Sequence, residues 1–332
     1  MTSSRMGVDR FVLIVSLIGS ISETAGGSKF NNSLTTTESQ MQEPITEAET
    51  GFIVPVHLEA EDTSLLVIIV IITVFGVLAN LTTTGIVIHF RQFHKPTYMV
   101  IGTLAFADFA SLIQYLCHLI LASINRYRVD NYGYIFMTVI YTTAHASASH
   151  VVLLFGLRYY LIAMPHRSKM ISKRHVLTSS ILMWIFSVMF GVIYYVARFH
   201  VARSKIAVVV LVFKSYLLFV PCIFILLFHV TKIYKLRTSI SRCRMSQYVR
   251  RMCTMIFIIM VIYIFSAIIF PITFSLNFFK VLSERESKAI QIFARFIWLF
   301  NFSVNPIIYF IYNPKVRHHV SLRWQSISIL RN

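Results

Sequence analysis

Acidic residues are scarce in this chain, with 13 Asp and Glu against 31 Lys and Arg, and their distribution is uneven. Asp9 precedes the first apolar run, a cluster runs from Glu23 to Asp62, and Asp130, Glu284 and Glu286 lie in short polar connections. Asp108 alone falls inside an apolar run. A net charge of +18 would point to nucleic acid if it covered one soluble face. Here acids and bases are segregated along the chain, so no nucleic-acid partner is expected. The four cysteines, Cys117, Cys222, Cys243 and Cys253, show neither metal-ligand spacing nor an extracellular pair. A disulfide framework and a structural metal are therefore not expected. No polar stretch beyond residue 63 is long enough for a soluble domain.

What the chain has is apolar length. Of its 332 residues, 56% are hydrophobic, a composition suited to a polytopic membrane protein. A bilayer core of ~30 Å takes roughly 20 mostly apolar residues as helix. Seven segments qualify: 64–90, 98–123, 132–160, 176–199, 206–232, 252–279 and 288–312. Lipid offers no hydrogen bonds to the backbone, so helices are the economical reading, and an all-α bundle of seven transmembrane helices over 64–312 is expected.

Residues 1–22 carry Arg5 and Arg10, then apolar Phe11 to Ile21 and small Ser20 and Ser22, a signal-peptide pattern too short to span. Residues 23–63, rich in Ser, Thr and Glu, read as a disordered extracellular tail, with a glycosylation acceptor at Asn31 in Asn31-Asn32-Ser33. Residues 313–332 read as a short basic tail with a membrane-surface helix.

Orientation follows from Lys and Arg in short loops. The connections after the first, third and fifth spans carry Arg91 and Lys95, then Arg167, Lys169, Lys173 and Arg174, then Lys235, Arg237, Arg242, Arg244, Arg250 and Arg251, with no acid in any. The tail adds Lys315, Arg317, Arg323 and Arg331. The opposite loops are mixed in sign. The basic side is expected to be cytoplasmic, with the N-terminus outside the plasma membrane.

Polar residues inside a bilayer are costly, which makes Asp108, in Leu104-Ala105-Phe106-Ala107-Asp108, the first candidate for function. Asn80 and Asn305-Pro306-Ile307-Ile308-Tyr309 are the other polar signals at comparable depth. With Trp184, Pro221, Pro271 and Arg158-Tyr159, these residues resemble the landmarks of the rhodopsin-like (class A) G-protein-coupled receptors, and the resemblance covers about residues 64 to 320.

That resemblance implies a receptor, not an enzyme, which passes an extracellular signal to a heterotrimeric G protein. It implies no cofactor beyond a sodium ion, held by Asp108 with Ser147, Asn301 and Asn305; a dry hydrogen-bond cluster is the alternative. It places G-protein coupling at Arg158, Tyr159 and Tyr309. Departures are plain: Leu157 replaces the usual acid, Ile268-Ile269-Phe270-Pro271 lacks the sixth-helix tryptophan but keeps Phe265, His229 stands for a tyrosine, and Gly133 for the disulfide cysteine.

Retinal is disfavoured by Leu299 at the lysine position, and a monoamine by Ile140 at the aspartate position. The outer-half polar residues are Tyr115, His118, Tyr141, His145, Lys214, Gln291 and Arg295, whose charge is positive. A ligand carboxylate or phosphate would balance it, and resemblance to divergent peptide receptors favours a peptide. A non-signalling scaffold or decoy with the same fold is the alternative, and a transporter a weaker one, since no internal repeat is visible.

Overall fold

The structure, a computed structural model, describes residues 60–123, 131–164, 170–200, 205–240, 247–278, 281, 283–313 and 316–317. The expected signal peptide, the glycosylation acceptor at Asn31 and nearly all of the basic tail lie outside these residues.

Among the described residues the seven expected spans are seven helices: α1 Ala60–His89, α2 Pro96–Ser123, α3 Asn131–Ala163, α4 Lys173–His200, α5 Ile206–Ile240, α6 Gln247–Phe278 and α7 Glu284–Tyr312. Each is long and apolar enough to cross a bilayer. Helix α1 starts a turn before its apolar run. Helix α5 continues eight residues past the expected end at 232. At about 1.5 Å per residue it is longer than the bilayer core is thick, and its last turns carry Lys235 and Arg237. Helix α7 opens on a reciprocal cap: the Ser283 side chain accepts from the Glu286 amide, and Glu286 accepts from the Ser283 backbone at 3.0 Å and hydroxyl at 2.7 Å.

The helices are apolar nearly all round, because both the core and the lipid ask for hydrocarbon. Outward faces carry Ile71 and Leu78 on α1, Leu182 and Ile193 on α4, and Phe219 and Leu227 on α5. Inward, Leu104, Leu154, Ile225, Ile256 and Ile259 make a fully buried core shared by α2, α3, α5 and α6. Helix α3 is the central strut, packed on α2, α4 and α5, while α7 packs on α1, α2 and α6.

Two glycines let backbones close in. A Cβ on Gly76 of α1 would collide with the Ser303 side chain of α7, and one on Gly191 of α4 with Thr142 of α3. Small residues at such crossings suit helix packing in lipid, where close van der Waals contact replaces the hydrophobic drive.

Pro221, Pro271 and Pro306 lie inside α5, α6 and α7. Each lacks the amide that would bond the carbonyl four residues back. For Pro306 that carbonyl is Phe302, and the Asn80 side chain of α1 donates to it at 3.0 Å. For Pro221 it is Leu217, and the Tyr263 hydroxyl of α6 donates to it at 3.3 Å. Neighbouring helices thus satisfy the groups that Pro221 and Pro306 release.

Candidate functional site

The polar centre is built on α2. Asp108 is fully buried and accepts from the Ser147 hydroxyl of α3 at 2.5 Å and from the Asn305 side-chain amide of α7 at 2.8 Å. One carboxylate therefore ties three helices together. Asn80 completes the layer, with its amide donating to Gly76 at 2.9 Å as well as to Phe302. Ser303 donates to the Ile72 carbonyl at 3.2 Å, a second tie between α7 and α1.

Asn301 is buried and lines the same cavity as Ser147. The structure thus brings Asp108, Ser147 and Asn305 into direct contact and sets Asn301 in the cavity wall. A carboxylate, a hydroxyl and amide oxygens are a donor set that fits a hard cation.

The cavity, about 90 Å³, lies among α3, α5, α6 and α7. Tyr141, Lys214, Tyr263, Ser266, Trp298 and Asn301 give it its polar and aromatic character. Tyr141 and Lys214 are the two outer-half candidates in this wall. Arg295 lies within electrostatic range of Lys214, His118 and Tyr115. Tyr115 contacts His118 and Trp298, each with ring centres 6.4 Å apart, and His118 stacks on Phe136 at 4.8 Å. Gln291 bonds Ser287 at 3.2 Å, one turn back on α7.

His145 faces elsewhere. Its Nδ1 is 2.8 Å from the Ser187 hydroxyl of α4, and its ring stacks on Phe190 at 4.6 Å. It sits between α3, α4 and α5, outside the cavity lining. Phe265 is half exposed on the outer face of α6. The indole that lines the cavity with Pro271 comes instead from Trp298 of α7, against Tyr115 and Phe302; the sixth helix holds no tryptophan to mark this role in the sequence.

At the other end of α3, Arg158 is 2% exposed, within electrostatic range of Tyr309 on α7 and Lys232 on α5. Tyr309 is also in range of Asp108, and its hydroxyl is buried without a hydrogen-bond partner. The buried polar groups therefore run from the cavity through Asp108 and Tyr309 to Arg158. Tyr159 stacks on Phe228 with ring centres 5.8 Å apart, under the Lys235 ammonium. Lys232 was missed in the sequence because it ends an apolar run, where a lysine ordinarily reaches for the membrane surface.

The family model of the seven-transmembrane receptors (rhodopsin family) matches residues 79–309, more than half of the chain. The chain belongs to this family. No curated protein matches it. Receptors of this family answer an extracellular ligand and act through a G protein.

Proposed function

We propose that this receptor takes a peptide whose acidic side chain or terminal carboxylate enters the cavity and meets Lys214, and that it passes the signal to a heterotrimeric G protein at the Arg158 end. The observation that carries this reading is the buried Lys214 in the wall of a small, mostly apolar cavity. A volume near 90 Å³ suits one inserted side chain more than a whole drug-sized molecule, for which pockets of roughly 300–1,000 Å³ are usual. Arg295 adds a second positive charge nearby, whereas Glu286 is exposed and held in the α7 cap by Ser283. A ligand carboxylate is the natural counter-charge, and its hydrogen bond to the ammonium would be charge-assisted.

The same cavity offers a route for the signal. Tyr263 lines it and also bonds the α5 carbonyl released by Pro221. A ligand that displaces Tyr263 changes the tie between α5 and α6, and it does so only to the extent that it binds one helix arrangement better than the other. Asp108, Ser147, Asn301 and Asn305 hold a sodium ion in the arrangement without agonist. The acid-free loops support a cytoplasmic Arg158 end.

The test is a G-protein reporter screen of peptides that differ in acidic residues, run on wild type and Lys214→Met at matched surface expression. An active peptide should lose about tenfold to a hundredfold in potency on Lys214→Met, the range for a hydrogen bond to a charged group, and equal loss when its own carboxylate is amidated. A potent agonist whose response is the same on both receptors overturns the carboxylate assignment. Failure of every ligand to move the reporter, with Arg158→Ala silent in basal signalling too, favours the non-signalling scaffold, which Leu157 and the missing α6 tryptophan also fit.

A further inference from the structure

Gln291, Arg295, Trp298 and Phe302 follow one another along α7 at intervals of four, three and four residues, so they share one face of the helix. Phe293 and Phe300 are exposed on the opposite side, where lipid lies. Trp298 and Phe302 line the cavity. At about 1.5 Å per residue, Arg295 stands roughly 4.5 Å and Gln291 roughly 10 Å from Trp298 toward the Glu284 end of the helix. The face that walls the cavity therefore continues beyond it as a polar strip.

Two side-chain atoms on this strip are buried and have no hydrogen-bond partner: Nη2 of Arg295, a donor, and Oε1 of Gln291, an acceptor. Other atoms of both side chains are engaged. Gln291 donates from its amide nitrogen to the Ser287 hydroxyl at 3.2 Å, and Arg295 reaches the Tyr115 hydroxyl of α2. Leaving a buried donor or acceptor unmet costs more than an ordinary hydrogen bond returns. One donor and one acceptor a turn apart ask for a group that carries both.

A carboxylate satisfies only the guanidinium, because its oxygens meet the Gln291 oxygen acceptor to acceptor. The main chain of a peptide carries both kinds of group. In an extended chain the N–H and C=O of one residue point to the same side, and in an antiparallel ladder that residue exchanges both bonds with a single neighbour. A cavity near 90 Å³ takes one side chain, so the peptide that bears it has to pass along the strip.

We propose that Gln291 and Arg295 form a main-chain reader on α7, which takes the N–H and C=O of one extended peptide residue close in sequence to the acidic residue in the cavity. This rests on the peptide reading of the same site and adds a contact that does not depend on the ligand's side chains. Lys214 then selects the acidic group, while the strip holds the backbone that delivers it.

The experiment uses the full-length receptor in phosphatidylcholine nanodiscs and an mRNA-displayed library of random linear dodecapeptides. Peptides retained by wild type and lost by Lys214→Met are the probes. Each is resynthesised with every backbone amide replaced in turn by an ester, which removes one N–H and keeps all side chains. Affinity, read by biolayer interferometry, should fall about fivefold or more for one ester near the acidic residue, the scale of a buried acceptor left unmet. On Gln291→Met the same ester should cost less than about twofold, because the two changes remove one shared contact. Arg295→Met should weaken the all-amide probes about tenfold or more, the scale for a hydrogen bond to a charged group. Thermal unfolding of each variant, matched to wild type, separates these effects from misfolding. Ester losses that are the same on wild type and Gln291→Met at every position, or probes that Arg295→Met leaves unchanged, overturn the main-chain reader and leave the carboxylate contact standing. A library that yields no peptide lost by Lys214→Met overturns the carboxylate reading and the reader together.

Discussion

The Tyr263 hydroxyl of α6 donates to the Leu217 carbonyl of α5, the one acceptor that Pro221 deprives of its helical partner. Pro221 and Tyr263 are thus a pair: the proline opens the α5 backbone and the tyrosine closes it from the next helix. The bond also stands in the wall of the cavity among α3, α5, α6 and α7. Removing it by Tyr263→Phe should cost about 0.6 kcal/mol, and at most about 1.7, the measured span for interhelical hydrogen bonds in membranes. Thermal unfolding in detergent should show that modest loss, and agonist efficacy should change more than agonist affinity. An unchanged melting temperature and unchanged efficacy would mean that the bond carries neither stability nor signal.

Asp108 anchors α2 to α3 and α7 through Ser147 and Asn305. Asp108→Asn keeps a hydrogen-bonding group of the same shape and removes the charge that a cation needs. Surface expression should stay near wild type, while exchanging sodium for choline should no longer alter agonist affinity. Sodium dependence that survives in this variant would place the ion elsewhere.

Arg158 is buried within electrostatic range of Lys232 on α5 and Tyr309 on α7, and Leu157 precedes it in the chain. Arg158→Ala should keep agonist binding in membranes but reduce nucleotide exchange on the G protein at least about tenfold, the scale expected for loss of a desolvated charge contact. Leu157→Asp supplies a carboxylate next to the arginine and should lower basal exchange. Normal exchange by Arg158→Ala at matched expression would remove this residue from coupling.

Topology can be tested on whole cells. An epitope beside Asn32 should label without permeabilisation and one after Arg331 only with it, because the acid-free loops lie on the side of Arg158. The opposite labelling would invert the receptor and put the Arg158 end outside the cell.

Length and hydropathy made the seven spans legible in the sequence, because a bilayer tolerates few alternatives to a long apolar helix. Helix ends were less so: α5 runs on to Ile240 and α6 starts at Gln247, where water can satisfy the backbone and hydropathy no longer marks the boundary. Asp108, Ser147 and Asn305 could be grouped from family landmarks before any geometry was known, and they touch. His145 could not be placed that way. Its helix is apolar on most sides, so a histidine in the outer half could equally face the cavity or, as it does, Ser187 and Phe190.

The sequence by itself determined that this protein spans a membrane seven times, which ends are basic, and that α3 to α6 contain no carboxylate, since these depend only on composition along the chain. Tertiary structure decided which face of each helix turns inward. When lipid and core are both apolar, the 3.6-residue period that reveals a buried face in a soluble helix is nearly flat. Only the packed bundle therefore shows that Lys232 is buried within electrostatic range of Arg158, that Trp298 lines one cavity with Pro271, and that Asn80 and Tyr263 complete backbones broken by prolines in other helices.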